Sequence, residues 1–253
     1  VNLDLGRKFL LETSSEKLSY ILFYMKCYPT FDLAGFIFNA DRSSCCRWTH
    51  WFIEALEMTL DKELVLPKRQ IKDLEKLLTR IPEIKAIYID GTERPIRRPK
   101  DPEKQKENYS GKKKKHTKKN LVITTKEKEI LLLTATREGK VHDYGNFKDE
   151  EIGEHLPRNI PIILDNGFQG IQNDYPDLNV VMPKRKPKGK ELTTQEKENN
   201  KKISSTRVVN EHAIGGIKRL RIVSDVYRNI KRGFEDKVML NACGIWNYYL
   251  KTV

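Results

Sequence analysis

Three acidic residues stand where carboxylates can do chemistry. Asp90 closes the run KAIYID and Asp165 closes NIPIILD; each is followed within two residues by glycine, in YIDGTE and ILDNGFQG. Glu211 lies further on, in RVVNEHAIGGIKR. The first two runs are rich in β-branched residues and read as strands. If the strands are parallel neighbours, their ends set two carboxylates side by side. Withdrawing two like charges from water is costly unless something neutralises them. Hard divalent cations do so, through oxygen ligands and retained waters. Arg207, Glu211, Lys218 and Arg221 recur at helical spacing and predict one face, with Val209, Ala213, Ile217 and Leu220 packing on the other. A carboxylate among cations on one stripe suits a metal site flanked by phosphate contacts. Each acid also has a plain structural reading. Asp-Gly and Asp-Asn-Gly form turns, and Glu211 can pair with Arg207 one turn away. Taken together, in strand, strand, helix order, the three favour the metal site.

The composition narrows the partner. Among 253 residues, 48 are Lys or Arg and 35 are Asp or Glu, a formal charge of +13. Such an excess points to a polyanion, nucleic acid first, with a merely soluble basic protein as the plain alternative. Cys27, Cys45, Cys46 and Cys243 form no C-x-x-C pair and have no histidine at zinc spacing, so reduced thiols and a cytoplasmic, nucleoid-associated protein are expected. No apolar run is long enough to span a membrane, and no stretch reads as a signal peptide.

Residues 1–80 read as helical. SSEKLSYILFYMKCYP predicts a helix capped by Ser15, with Leu18, Ile21, Leu22 and Met25 as its apolar face. TFDLAGFIFN predicts a short helix capped by Thr30, and SSCCRWTHWFIEALEMTL a longer one capped by Ser43 or Ser44. Helix, tight turn and second helix make a helix-turn-helix pattern, which an ordinary bundle also produces. In the former, Ser44, Arg47, Thr49 and His50 would meet a major groove while Trp48, Phe52, Ile53 and Leu56 pack. A fourth helix is expected over 67–80, opened by Pro67. From residue 84 the pattern changes to strands. KAIYID comes first, then LVITT and EILLLTATR as a hairpin, then NIPIILD and DLNVVMP. GKVHDYGNF reads as a loop, FKDEEIGEHL as a short helix, and two further helices are expected over about 204–220 and 234–251. Residues 94–119 and 184–206 read as basic, mobile segments. The expected fold is a mixed α/β domain with an antiparallel hairpin, preceded by an all-α segment.

The motifs YIDGTERPI, YSGKKKKHTKKN, GKVHDYGNF, ILDNGFQG and RVVNEHAIGGIKR, in that order, resemble those of IS5-like insertion-sequence transposases with a DDE endonuclease domain. The resemblance covers most of the chain. It implies a ribonuclease-H-like catalytic domain over 84–253 and a helix-turn-helix DNA-binding segment within 1–80. It implies Asp90, Asp165 and Glu211 as catalytic, metal-holding acids, with Mg2+ or Mn2+, two per active site. The implied activity is cleavage of element ends followed by strand transfer, with a homodimer assembled on double-stranded DNA. His142 and Asp143 are candidates to line the site. Lys112, Lys113, Lys114, Lys115, His116, Lys118 and Lys119, then Lys184, Arg185 and Lys186, are candidates to hold the DNA backbone. Arg47, His50, Arg207, Lys218, Arg219 and Arg221 are further DNA contacts. No serine, tyrosine or cysteine nucleophile stands out, and this chemistry needs none. Three alternatives stay open: a metal-dependent nuclease or domesticated relative that does not integrate, a non-catalytic helix-turn-helix regulator, and an RNA-processing ribonuclease-H relative.

Overall fold

A computed structural model describes residues 10–81 and 83–253. The chain opens with α1 (Ser14–Cys27), α2 (Phe31–Phe38) and α3 (Arg42–Lys62). The cap of α1 is Thr13, which forms a capping box with Glu16 and displaces the expected Ser15. The buried face of α1 is also rotated from expectation. Tyr20, Ile21, Tyr24 and Met25 are buried, while Leu18 and Leu22 stay exposed. Tyr20 accounts for the rotation. Its ring meets Phe38, Trp48 and Phe52 edge-on at 4.9, 5.6 and 5.9 Å, and its hydroxyl donates to Cys45 O at 2.8 Å. Thr30 caps α2 as expected. Asp41 rather than a serine caps α3, accepting from Ser44 N at 2.9 Å and from the hydroxyls of both serines. Trp48, Phe52, Ile53 and Leu56 are buried as expected. The fourth helix, α4 (Ile71–Arg80), starts later than Pro67. Lys68 is instead hydrogen-bonded through its backbone to Leu131 O and Leu133 N, which draws the chain along the sheet before the helix begins.

The rest of the chain builds a sheet with helices on both faces. Its elements are β1 (Ile87–Pro95), α5 (Pro102–Asn108), β2 (Tyr109–Ser110), β3 (Lys115–Thr124), β4 (Ile130–Leu133) and β5 (Arg137–Glu138). Then come α6 (Asp143–Asp149), α7 (Ile152–His155), β6 (Ile162–Ile163), α8 (Ile171–Asp174), β7 (Val180–Val181), α9 (Thr194–Ile217), α10 (Arg221–Ser224) and α11 (Phe234–Thr252). β1, β6 and β7 are parallel neighbours in that order, and β3 lies antiparallel on the other side of β1, pairing β2, β4 and β5 along its length. This is a ribonuclease-H-like mixed sheet. Along each strand, side chains alternate between two cores. Ile87, Ile89, Leu121 and Ile123 pack with α4, α6 and α7, whereas Val122, Ile130 and Leu133 pack with α1, α3 and α11. The N-terminal helices therefore share a core with the sheet. Asn247 of α11 fastens the joint, donating to Val65 O and Ile130 O, each at 2.9 Å.

Four segments depart from expectation. Residues 94–119 are built rather than mobile: β1 runs on to Pro95, α5 follows, and β3 begins at Lys115. EILLLTATR breaks into β4 and β5, because Thr134 turns its hydroxyl back to accept Leu121 N at 2.9 Å. GKVHDYGNF becomes helical from Asp143. α9 starts at Thr194, ten residues before the expected start, on a Thr193–Glu196 capping box. It ends at Ile217, so Arg221 belongs to the next helix and pairs with Asp225 at 3.0 Å instead of extending the α9 stripe.

Candidate active site

The two aspartates meet, although only Asp165 follows a strand end: β1 does not close at Asp90 but runs on to Pro95. β1 pairs β6 in parallel with Ile87 opposite Ile162 and Tyr88 opposite Ile163. Two residues further along that register, Asp90 stands opposite Asp165. Each uses one oxygen to close its local turn: Asp90 Oδ1 accepts from Gly91 N and Asp165 Oδ1 from Gly167 N, both at 2.7 Å. The turn-forming reading of each aspartate is thus correct for half of its carboxylate. The other oxygen of each, Oδ2, faces a shared cation. Arg207 of α9 holds its Nη2 at 4.0 Å from both.

A third carboxylate joins them. Asp143, at the first position of α6, lies against the β1 backbone at Gly91; a β-carbon there would sit 2.7 Å from Asp143 Oδ1. Any side chain at Gly91 would expel Asp143 from the cluster. Lys119 Nζ holds Asp143 Oδ1 at 3.1 Å and Glu93 Oε1 at 3.5 Å, and Thr117 Oγ1 donates to Glu93 Oε2 at 2.9 Å. Lys119 faces Glu93 directly across the β1–β3 ladder. With a side chain only 6% exposed, it is the buried counter-cation of two acids. Sequence reading missed this role. Inside the run KKKKHTKKN, Lys119 looks like one more solvated lysine, and only the hairpin register reveals its partner.

Charge is unevenly compensated here. Burial, followed by the charge of Asp165, raises the Asp90 pKa from 3.8 to about 6, against the opposing pull of the Gly91 hydrogen bond and Arg207. Glu211 lies one turn beyond Arg207 on the same face of α9 and is exposed. Two turns on, burial lowers the Lys218 pKa, with Lys113 adding to the effect and Glu93 and Asp90 opposing it. Glu211 is thus bracketed on its helix by two cations that both address the Asp90 carboxylate. The oxygens of Asp90, Asp165 and Glu211 do not all fall within 4.8 Å of one another. Among the described residues, that spacing is met by Glu151, Glu154 and His155, where His155 Nδ1 also engages Glu75 at 2.9 Å.

The remaining candidates divide by what they touch. Lys112, Lys113, Lys114 and Lys115 are exposed around the β2–β3 turn. His116 packs edge-on to Tyr109, and Lys118 pairs with Glu138 at 2.9 Å. Lys184 pairs with Glu196 and Lys186 with Glu191, whereas Arg185 is exposed. Arg219 stacks over Trp246 and Tyr249 at 5.8 and 5.9 Å. His142 is exposed at the cap of α6. On α3, Arg47 is exposed and donates to Ser44 Oγ at 3.0 Å. Thr49 cannot meet a groove: it is fully buried, donating to Cys45 O at 2.9 Å. His50 turns toward Phe234, with ring centroids 4.3 Å apart.

Paired aspartates on neighbouring parallel strands of a ribonuclease-H-like sheet, behind a helix-turn-helix segment, are the arrangement expected of an endonuclease of the DDE class. Residues 89–247 match the family described as DDE superfamily endonuclease, and residues 11–61 match the helix-turn-helix of that superfamily. The chain belongs to this family of insertion-sequence transposases. Over 236 residues it is 34% identical to a Microchaete diplosiphon protein titled "Probable transposase for insertion sequence element IS702", a match covering 93% of this chain and 80% of that one. No solved structure matches the chain. The protein is accordingly an enzyme of the nuclease and transposase class that binds DNA and depends on a divalent metal. No helix among the described residues is long and apolar enough to cross a membrane.

Proposed function

We propose that the chain cleaves the ends of an insertion sequence and joins the freed 3′-hydroxyl to target DNA, both at the Asp90–Asp165 cluster. The observation that carries this reading is the shared orientation of Asp90 Oδ2 and Asp165 Oδ2 toward one cationic position, now held by Arg207. The donor set fits Mg2+ or Mn2+: partly buried carboxylate oxygens, short of counter-charge, with no sulfur or imidazole among them. Asp90, Asp165 and Glu211 would hold two such ions, which lower the pKa of the attacking oxygen and stabilise the departing 3′ oxygen. Asp143, fixed by Lys119, stands beside them.

The protein's own residues do the rest. Lys218 and the exposed lysines 112–115 suit the phosphate backbone that must enter the cluster. Arg207 offsets part of the repulsion between the two aspartates until DNA and metal arrive, and then frees its guanidinium for a phosphate. Arg47 and the exposed start of α3 suit base-edge contacts in the element ends. The helical segment 1–80 and the catalytic domain 84–253 act as one body on a shared core, in the cytoplasm, as a homodimer that brings two ends together.

The test is an in vitro reaction with labelled end duplexes and a supercoiled target in Mg2+. Cleaved ends and joined products are expected, and both should vanish in Asp90→Ala. Cleaved ends without joining would reduce the activity to that of a nuclease. Cleavage surviving in Asp90→Ala would remove the cluster from the reaction.

A further inference from the structure

A second DNA-facing element lies beside the helix-turn-helix. Residues 228–231, between α10 and α11, face α3 and form with it a groove of about 770 Å3, and Arg232 follows them. Arg42, Ser43, Cys46 and His50 line the α3 side. The loop is pinned. Arg228 Nη2 donates to Tyr28 O and Pro29 O at 2.5 and 2.9 Å, and its guanidinium lies 4.0 Å from the centre of the Tyr28 ring. Arg228 N donates to the Tyr28 hydroxyl at 2.7 Å, and Asn229 Oδ1 accepts from Lys231 N at 2.8 Å, closing a tight turn.

The three residues carried on this clamp are exposed, with Ile230 and Lys231 at the edge of the groove. Ile230 is 95% exposed, and Lys231 and Arg232 are exposed without an ion-pair partner among the described residues. An isolated exposed isoleucine is ordinary on a protein surface. An isoleucine flanked by two unpaired cations, on a backbone anchored to the recognition segment, is arranged for a ligand with both charge and an apolar face. Its position beside α3 says which ligand. Across the groove from the loop lie Arg42, Ser43, Cys46 and His50, on the first two turns of α3. A duplex that meets the start of α3 in its major groove, about 12 Å wide, brings its flanking backbone and the adjoining minor groove within reach of the loop.

We infer that residues 230–232 form a second duplex-DNA contact, with Lys231 and Arg232 on phosphates and Ile230 against the sugars and base edges of the neighbouring minor groove. Apolar side chains beside cations serve in this way in proteins that bind the minor groove. The inference rests on the DNA-binding reading of α3 and adds to it. It makes the catalytic domain itself a reader of the DNA flanking the site that α3 recognises.

The test uses the full chain and a duplex that the wild-type chain selects from a random-sequence library. Affinity is measured by anisotropy across a salt series and minor-groove contact by hydroxyl-radical footprinting. Lys231→Ala/Arg232→Ala should lower the salt slope by about 2, since each phosphate contact contributes about 0.9. Ile230→Ala should leave the slope unchanged, weaken binding about tenfold, and lose protection of the sugars flanking the α3 site. All these side chains are exposed, so circular dichroism and melting should match wild type. Loop variants that bind and footprint like wild type, while Arg42→Ala/Arg47→Ala loses binding, would overturn the inference and leave the α3 reading standing. Binding unaffected by Arg42→Ala/Arg47→Ala would overturn the α3 reading itself.

Discussion

Two carboxylate clusters in this molecule are built on opposite principles. At the joint between the N-terminal helices and the sheet, Asp236 is saturated. It accepts from Arg69 Nη2 at 2.5 Å, from Thr136 Oγ1 at 2.6 Å and from Thr136 N at 3.0 Å. Within β1, Asp90 accepts one backbone hydrogen bond and sees Arg207 only at 4.0 Å, with Asp165 opposite and Asp143 close by. The first is what stability asks of a partly buried charge. The second is what stability opposes, and it suits a site whose missing ligands come from outside. Acid clusters short of donors are where function is to be sought; saturated ones hold the fold.

The comparison breaks most visibly at its two aspartates. Asp90→Asn should reduce DNA cleavage by at least about 1,000-fold. In the metal-free protein, the same change should raise stability by about 1–3 kcal/mol at pH 7.5, because it removes a charge the fold resists. Asp236→Asn should do the reverse, lowering stability by about 2–4 kcal/mol while cleavage per folded molecule is kept. Denaturant melts and a nicking assay on the same preparations test both. If both variants shift stability in one direction, the contrast is wrong.

Lys119 combines the two principles, since a saturated lysine holds an acid at the edge of the unsaturated cluster. Lys119→Met should cost about 3 kcal/mol, because Glu93 and Asp143 are left buried without a cation. Adding Asp143→Asn should recover part of that loss, and a double-mutant cycle should give a coupling of at least about 1 kcal/mol. Additive losses would mean that the pair does not interact.

The pH dependence has a definite sign. The Asp90 pKa rises from 3.8 to about 6 on folding, so the folded state binds the proton more tightly than the unfolded state. This group's contribution to stability is full below about pH 4 and is lost as pH climbs through about 6. The stability difference between wild type and Asp90→Asn should therefore change over that window and be flat above pH 7. Melts at half-unit intervals would reveal it, and a difference constant across the window would contradict it. The smallest effect belongs to the outer end of α9. Thr193→Ala should fray its first turns for about 1 kcal/mol or less, without touching the Arg207 end. Amide exchange would locate the loss.

The same contrast decides what the sequence discloses. Asp90 and Asp165 are legible because a β-branched run that meets an acid and a glycine leaves a local signature, and the parallel register then joins them, although β1 runs on past Asp90 to Pro95. The saturated groups are not legible. Lys119 and Glu93 lie 26 positions apart, and nothing local in either segment announces the ladder that sets them opposite each other. Arg94 reads as part of a basic arm yet is 3% exposed, because it donates to Thr136 Oγ1 at 2.9 Å within the Asp236 network. The first half of α9, TQEKENNKKISS, carries no apolar period. It is held by its capping box and by Asn200 bridging Lys184 N and O, contacts that a hydrophobic pattern cannot forecast. The helix-turn-helix was visible in outline, but α1 is oriented by Tyr20, whose hydroxyl partner 25 residues away overrides the simple apolar stripe.

The most direct measurement is Mn2+ binding to the DNA-free protein by electron paramagnetic resonance titration. It compares wild type with Asp90→Asn, Asp165→Asn, Glu211→Gln and the distal Glu154→Gln. Three acids that together hold the metal require at least about tenfold weaker binding in each of the first three variants, with wild-type binding in the fourth. Mn2+ binding that ignores Asp90, Asp165 and Glu211 but falls with Glu154→Gln would move the metal to the other acid group and contradict the account.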